Sequence, residues 1–144
     1  MKKAHRKAPV IRPTSDIVFK YLFGHRDCTN ILLAFINAVQ RHAGQPEFAR
    51  VTIVNPANDK SWYDDKMSVV DVRAETSAGT LVNVEVQVRS QAEYGERALY
   101  YWARTYCGQL KENEDYKTLH PVISIALLDF CLSPPEVPWH STYN

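Results

Sequence analysis

The stretch "VVDVRAETSAGTLVNVEVQV" at residues 69–88 limits the possible folds more than any other part of the chain. In its first half Val70, Val72 and Ala74 alternate with Asp71, Arg73 and Glu75. In its second half Val82, Val84, Val86 and Val88 alternate with Asn83, Glu85, Gln87 and Arg89. Alternation with a period of two predicts a pair of strands with one apolar and one polar face. The join "SAG" suits a hairpin loop in which Gly79 takes the left-handed position and Thr76 pairs with Thr80. Counting back along that register sets Asp71 opposite Glu85. Carboxylates directly opposite on one face repel, with Cβ atoms roughly 4.5 to 5.5 Å apart. A divalent cation relieves that repulsion, and Mg²⁺ often uses one or two carboxylates together with waters and substrate phosphates. Such an ion polarises a phosphodiester and lowers the pKa of a bound water, so the pair suits hydrolysis of a nucleic-acid backbone. The plainer alternative is a pair of surface acids on a half-exposed sheet, matched by Arg73 and Arg89.

The rest of the chain supplies helices and strands for this hairpin to pack against. "TSDIVFKYLFG" predicts a short helix with Ser15 as N-cap and Gly24 as its stop, Asp16 favouring the first turn through the helix dipole. "CTNILLAFINAVQRHAG" places Ile31, Leu32, Phe35, Ile36 and Val39 at helical spacing before Gly44. "ARVTIVNP" reads as a strand ending at Pro56, and "NDKSWYDDK" as a loop in which Asp64 or Asp65 could add a metal ligand. From Gln91 to Leu110 a long helix is expected. Leu99, Ala103, Tyr106 and Leu110 form one stripe on it, and Arg97, Tyr101 and Arg104 form another that could track phosphates or bury its stems on the sheet. "HPVISIALLDF" is apolar enough for a strand buried on both faces. This order predicts an antiparallel meander extended by a helical crossover, an α/β arrangement.

The chain of 144 residues, 45% apolar and 23% charged, is the size of one ordinary domain. Its boundaries read as a basic arm at 1–14, the folded unit at 15–130 and a Pro-rich tail at 131–144. A net charge of +1 argues against coating nucleic acid by bulk charge. No apolar run approaches the roughly 18 residues of a membrane span, so a soluble protein is expected. Cys28, Cys107 and Cys131 are widely spaced and read as reduced, buried thiols of a cytoplasmic protein. His5, His25, His42, His120 and His140 show no spacing that suits a metal or a nucleophile system.

The hairpin resembles that of the PD-(D/E)xK nuclease superfamily, whose first acid lies on one strand and whose E-x-K lies on the next. The wider pattern is similar to the recombination-promoting nuclease (Rpn) family, also known as PD-(D/E)xK family transposases. The stretches that carry the resemblance are "SDIVFKYLFG", "VVDVRAET", "VNVEVQV", "ERALYYWARTYCGQLKENEDY" and "LHPVISIALLDF", which together span most of Ser15 to Phe130. It implies a PD-(D/E)xK nuclease-like core with an extra N-terminal helix, and a metal-dependent DNA endonuclease linked to recombination or mobile DNA. It further implies that Asp71, Glu85 and the backbone carbonyl of Val86 hold Mg²⁺, with Mn²⁺ a possible substitute, and that the substrate is double-stranded DNA in the nucleoid. Gln87 stands where the superfamily usually has lysine, and the resembled family tends to carry glutamine there. Lys20 and Arg97 are then candidates for positive charge at the scissile phosphate, with Tyr101 and Arg104 as further DNA contacts. Rpn-type proteins commonly continue past the last core strand. An alternative is therefore a non-catalytic binding or assembly module, or a truncated member. It could form a homo-oligomer or pair with a longer relative.

Overall fold

The hairpin forms around its turn. In the computed structural model, which describes residues 12–54 and 72–132, β2 (Val72–Thr76) and β3 (Leu81–Gln87) pair antiparallel, with Val72 opposite Val84 and Ala74 opposite Val82. This is the register obtained by counting from the loop. Gly79 has φ +84°, its N–H donates to the Thr76 carbonyl at 3.0 Å, and the Thr76 N–H donates to the Thr80 carbonyl at 2.9 Å. A Cβ added at Gly79 would lie 2.5 Å from the His120 ring. Gly79→Ala should therefore cost about 1–2 kcal/mol of stability, the usual penalty for a side chain in the left-handed region, read as a lower urea midpoint at unchanged slope. Asp71 lies outside the described residues, as do Asp64, Asp65, Pro56, most of the basic arm and residues 133–144.

Among the described residues, two further strands extend the hairpin into a four-stranded mixed sheet of order β1-β2-β3-β4. β1 (Val51–Ile53) pairs antiparallel with β2, and β4 (Val122–Leu128) pairs parallel with β3. A parallel neighbour requires a crossover, and α3 (Tyr94–Cys107) supplies it. On one side of the sheet α1 (Asp16–Gly24) and α2 (Thr29–His42) lay Phe19, Leu32 and Ile36 on Val51, Val72, Ala74, Val82, Val84 and Ile125, forming the core. At the end of α2 the Asn37 side chain accepts from the Phe48 N–H and donates to its carbonyl, both at 2.9 Å. That bidentate grip turns the chain from α2 toward β1.

Several expectations are corrected here. Ser15 stands at the N-cap position of α1, but its side chain makes no capping bond. Ile31 points outward from α2, 40% exposed. The third helix begins and ends three residues inside the predicted Gln91–Leu110 span. Among the described residues β4 is an edge strand, buried on one face only: Ile125 enters the core while Ser124 and Ala126 are exposed. Cys107 and Cys131 are exposed free thiols and Cys28 is half-buried, so none is fully buried. Among the described residues no helix is long and apolar enough to cross a membrane.

Candidate functional site

The polar face of the hairpin is covered by α3. Contacts at its two ends fix the direction of that helix. Near its C-terminus, the Thr105 hydroxyl accepts from Arg73 Nη2 and from Asn83 Nδ2, each at 3.0 Å. Near its N-terminus, Arg97 reaches Glu85 and Gln87. The helix therefore runs antiparallel to β3. Its buried residues are Tyr94 and Thr105, and Leu99 is 65% exposed. The stripe of Leu99, Ala103, Tyr106 and Leu110 is thus not the buried one. Tyr94, Arg97 and Thr105 share the inward side because they are spaced by nearly whole turns.

Arg73, Asn83 and Thr105 form a buried polar network, closed further by the bond from Arg73 Nε to Asn83 Oδ1 at 3.2 Å. Burial lowers the Arg73 pKa from its ordinary value. Thr105→Val keeps the shape and removes the shared acceptor, so it should cost about 1–3 kcal/mol by leaving buried donors unpaired. Urea unfolding would measure this loss.

The candidate site lies at the carboxyl end of β3, under the first turns of α3. Glu85 and Gln87 project on the same face because they are two residues apart on a strand. Arg97 Nη2 donates to Glu85 Oε1 at 2.9 Å and to Gln87 Oε1 at 3.0 Å. The Glu85 and Arg97 side chains are 19% and 24% exposed, so the ion pair is largely screened from water. Three further contacts complete the cluster. Arg97 Nη1 donates to Gln91 Oε1 at 2.7 Å, the guanidinium lies 5.4 Å from the Tyr94 ring centroid, and Gln87 Nε2 donates to the Arg89 carbonyl at 3.0 Å. The Gln87 amide is engaged at both ends and so is held in one orientation. Arg97 Nε is buried and finds no acceptor among the described residues.

Glu85, Gln87 and Arg97 are thus brought together, and Val86 lies between the two strand residues. Tyr101 is half-buried with its ring edge-on to Tyr100, and Arg104 Nη1 lies 3.4 Å from the Tyr100 hydroxyl. Both follow Arg97 along α3. Lys20 is exposed on α1. Glu75 is exposed near the turn. Gln91 and Tyr94 were missed from sequence; Tyr94 could have been found from its spacing of three before Arg97. An open pocket of about 410 Å³ is lined by Glu75, Leu81, Gln109 and His120. It lies at the hairpin end of β3, away from this cluster.

The arrangement is that of an acid and an amide oxygen held on a strand under a helix, within a helix-flanked mixed sheet. The family of PD-(D/E)XK nuclease family transposases matches residues 13–144. The chain belongs to that family. No curated protein and no solved structure matches it significantly. The mixed α/β fold agrees with a PD-(D/E)XK nuclease-like core, and Glu85 and Gln87 lie on β3 of its sheet. The PD-(D/E)XK transposase family points to a nuclease related to mobile DNA.

Proposed function

We propose that the chain is a metal-dependent endonuclease that hydrolyses the backbone of double-stranded DNA. The observation that supports this reading is the convergence of Glu85 Oε1 and Gln87 Oε1 on a single cationic nitrogen, at 2.9 and 3.0 Å. Oxygen donors that already surround one positive charge are the donor chemistry that suits a hard divalent cation. Asp71, Glu85 and the Val86 carbonyl would hold Mg²⁺, or Mn²⁺ in its place. When bound, the ion supplies a water of lowered pKa and a counter-charge for the phosphate. Gln87, its amide fixed at both ends, orients water or phosphate by hydrogen bonding. Arg97 and Lys20 provide positive charge where negative charge develops on the phosphate and leaving oxygens in the transition state, and Tyr101 and Arg104 extend the DNA contact along α3. Nucleoid DNA in the cytoplasm is the setting we infer, with a second copy or a longer family member as a possible partner.

The Arg97–Glu85 ion pair also gives support to a second reading, a non-catalytic module whose acid is permanently neutralised. Cleavage of an end-labelled duplex in ¹⁸O-enriched water with Mn²⁺ separates the two. Direct hydrolysis should give fragments free of protein, with one solvent oxygen in each new phosphate end. A protein-linked fragment, or a duplex left intact with every metal, would overturn the proposal.

A further inference from the structure

We propose that Arg97 is an internal counter-ion that a divalent cation displaces, and that its release couples metal binding to phosphate binding. This inference rests on the reading of Glu85 as a metal-holding residue. Arg97 Nη2 sits between Glu85 Oε1 and Gln87 Oε1, so a guanidinium and a metal ion cannot occupy that position together. With both side chains mostly buried, two positive charges on the same oxygens would also repel strongly. Arg97 therefore competes with the ion for Glu85.

The displaced guanidinium stays at the site. Its other prong is anchored by Gln91 Oε1 at 2.7 Å, and its face rests on the Tyr94 ring at 5.4 Å. These contacts do not use Glu85. The buried Nε meanwhile has no acceptor among the described residues, so the guanidinium has donor capacity that the ion pair leaves unused. Nε and Nη2 form the fork that takes two phosphate oxygens side by side. Freed from Glu85, Arg97 can present that fork to a DNA phosphate. Metal and phosphate then each favour the arrangement the other needs, and by linkage each raises the affinity of the other.

The test is Mn²⁺ titration of the full chain without DNA, by calorimetry, for wild type, Arg97→Met, Arg97→Lys and Glu85→Gln. Arg97→Met should bind Mn²⁺ about tenfold or more tightly than wild type, in line with couplings measured for close charge pairs. Arg97→Lys retains the competing charge and should stay near wild type. In a parallel measurement, fluorescence anisotropy on a short duplex, Ca²⁺ in place of EDTA should tighten DNA binding by wild type more than by Arg97→Met. Glu85-dependent Mn²⁺ binding that is equal or weaker in Arg97→Met would overturn the competition while leaving the metal site standing. Mn²⁺ binding that Glu85→Gln does not change, or no binding by any form, would overturn the metal-site reading and this inference with it.

Discussion

Glu85→Ala is expected to lower metal-dependent cleavage of DNA by about 100-fold or more under the proposed role of Glu85 as a metal ligand, because loss of a ligand should cost at least as much as loss of the groups that orient ligands. The strand position makes this a specific expectation. Glu85 is the fifth of the seven residues of β3, paired with Ala126 on β4, and its carboxylate is held on the α3 face by Arg97. The backbone there is fixed by neighbours on the sheet, so removing the carboxylate leaves the strand in place. Arg97 would still have Gln87, Gln91 and the Tyr94 ring as partners. The ion pair lies between the surface and buried limits, and its loss should cost about 1–3 kcal/mol of stability. Glu85→Gln keeps an acceptor for Arg97 and should retain more of the stability while still losing activity. Thermal unfolding of both variants beside their cleavage rates separates a lost site from a lost fold. A folded Glu85→Ala protein that cuts at the wild-type rate would sink the assignment of Glu85.

The largest effect on stability is expected from Phe19→Ala, at about 3–5 kcal/mol. Phe19 is 1% exposed, packs its ring 4.8 Å from that of Phe23, and belongs to the core cluster that joins α1 to α2 and the sheet. The phenyl ring is held between elements that do not contact one another through the backbone ladder. Its removal therefore leaves a cavity that the sheet cannot close by sliding. Domains of this kind are stable by only about 5–15 kcal/mol in total. The variant should unfold at a much lower urea concentration than wild type, and a loss below about 1 kcal/mol would show that α1 contributes little to the core.

Residues with a local rule behind them were legible in the sequence. The β2–β3 register followed from Gly79 and from the alternation of Val82, Val84 and Val86, because a slip of one residue would turn every side chain to the wrong face. The core positions Leu32 and Ile36 followed from helical spacing. The face of α3 did not follow, and the reason is the sheet it covers. Apolar periodicity assumes an apolar partner, whereas α3 lies on Arg73, Asn83, Glu85 and Gln87. Its inward side accordingly carries Arg97 and Thr105, and Leu99, Tyr100 and Trp102 are exposed. The ends of α3 were also illegible, since Glu93 at its N-cap makes no side-chain bond that would mark the start. The run "VISIALL" suggested burial on both faces, but edge position depends on the order of strands and not on the composition of one.

The candidate site was partly legible for the same reasons. Glu85 and Gln87 share a face by strand geometry alone, and Arg97 was a candidate for positive charge. That Arg97 bonds both of them depends on how α3 docks, which no pattern in the sequence expresses. The partners Gln91 and Tyr94 depend on the same docking.

The most direct test of the nuclease reading is incubation of supercoiled plasmid with the purified chain and Mg²⁺, Mn²⁺ or EDTA. Nicked and linear DNA should accumulate with either metal and not with EDTA. Plasmid that stays supercoiled with both metals, or cutting that persists undiminished in EDTA, would contradict it.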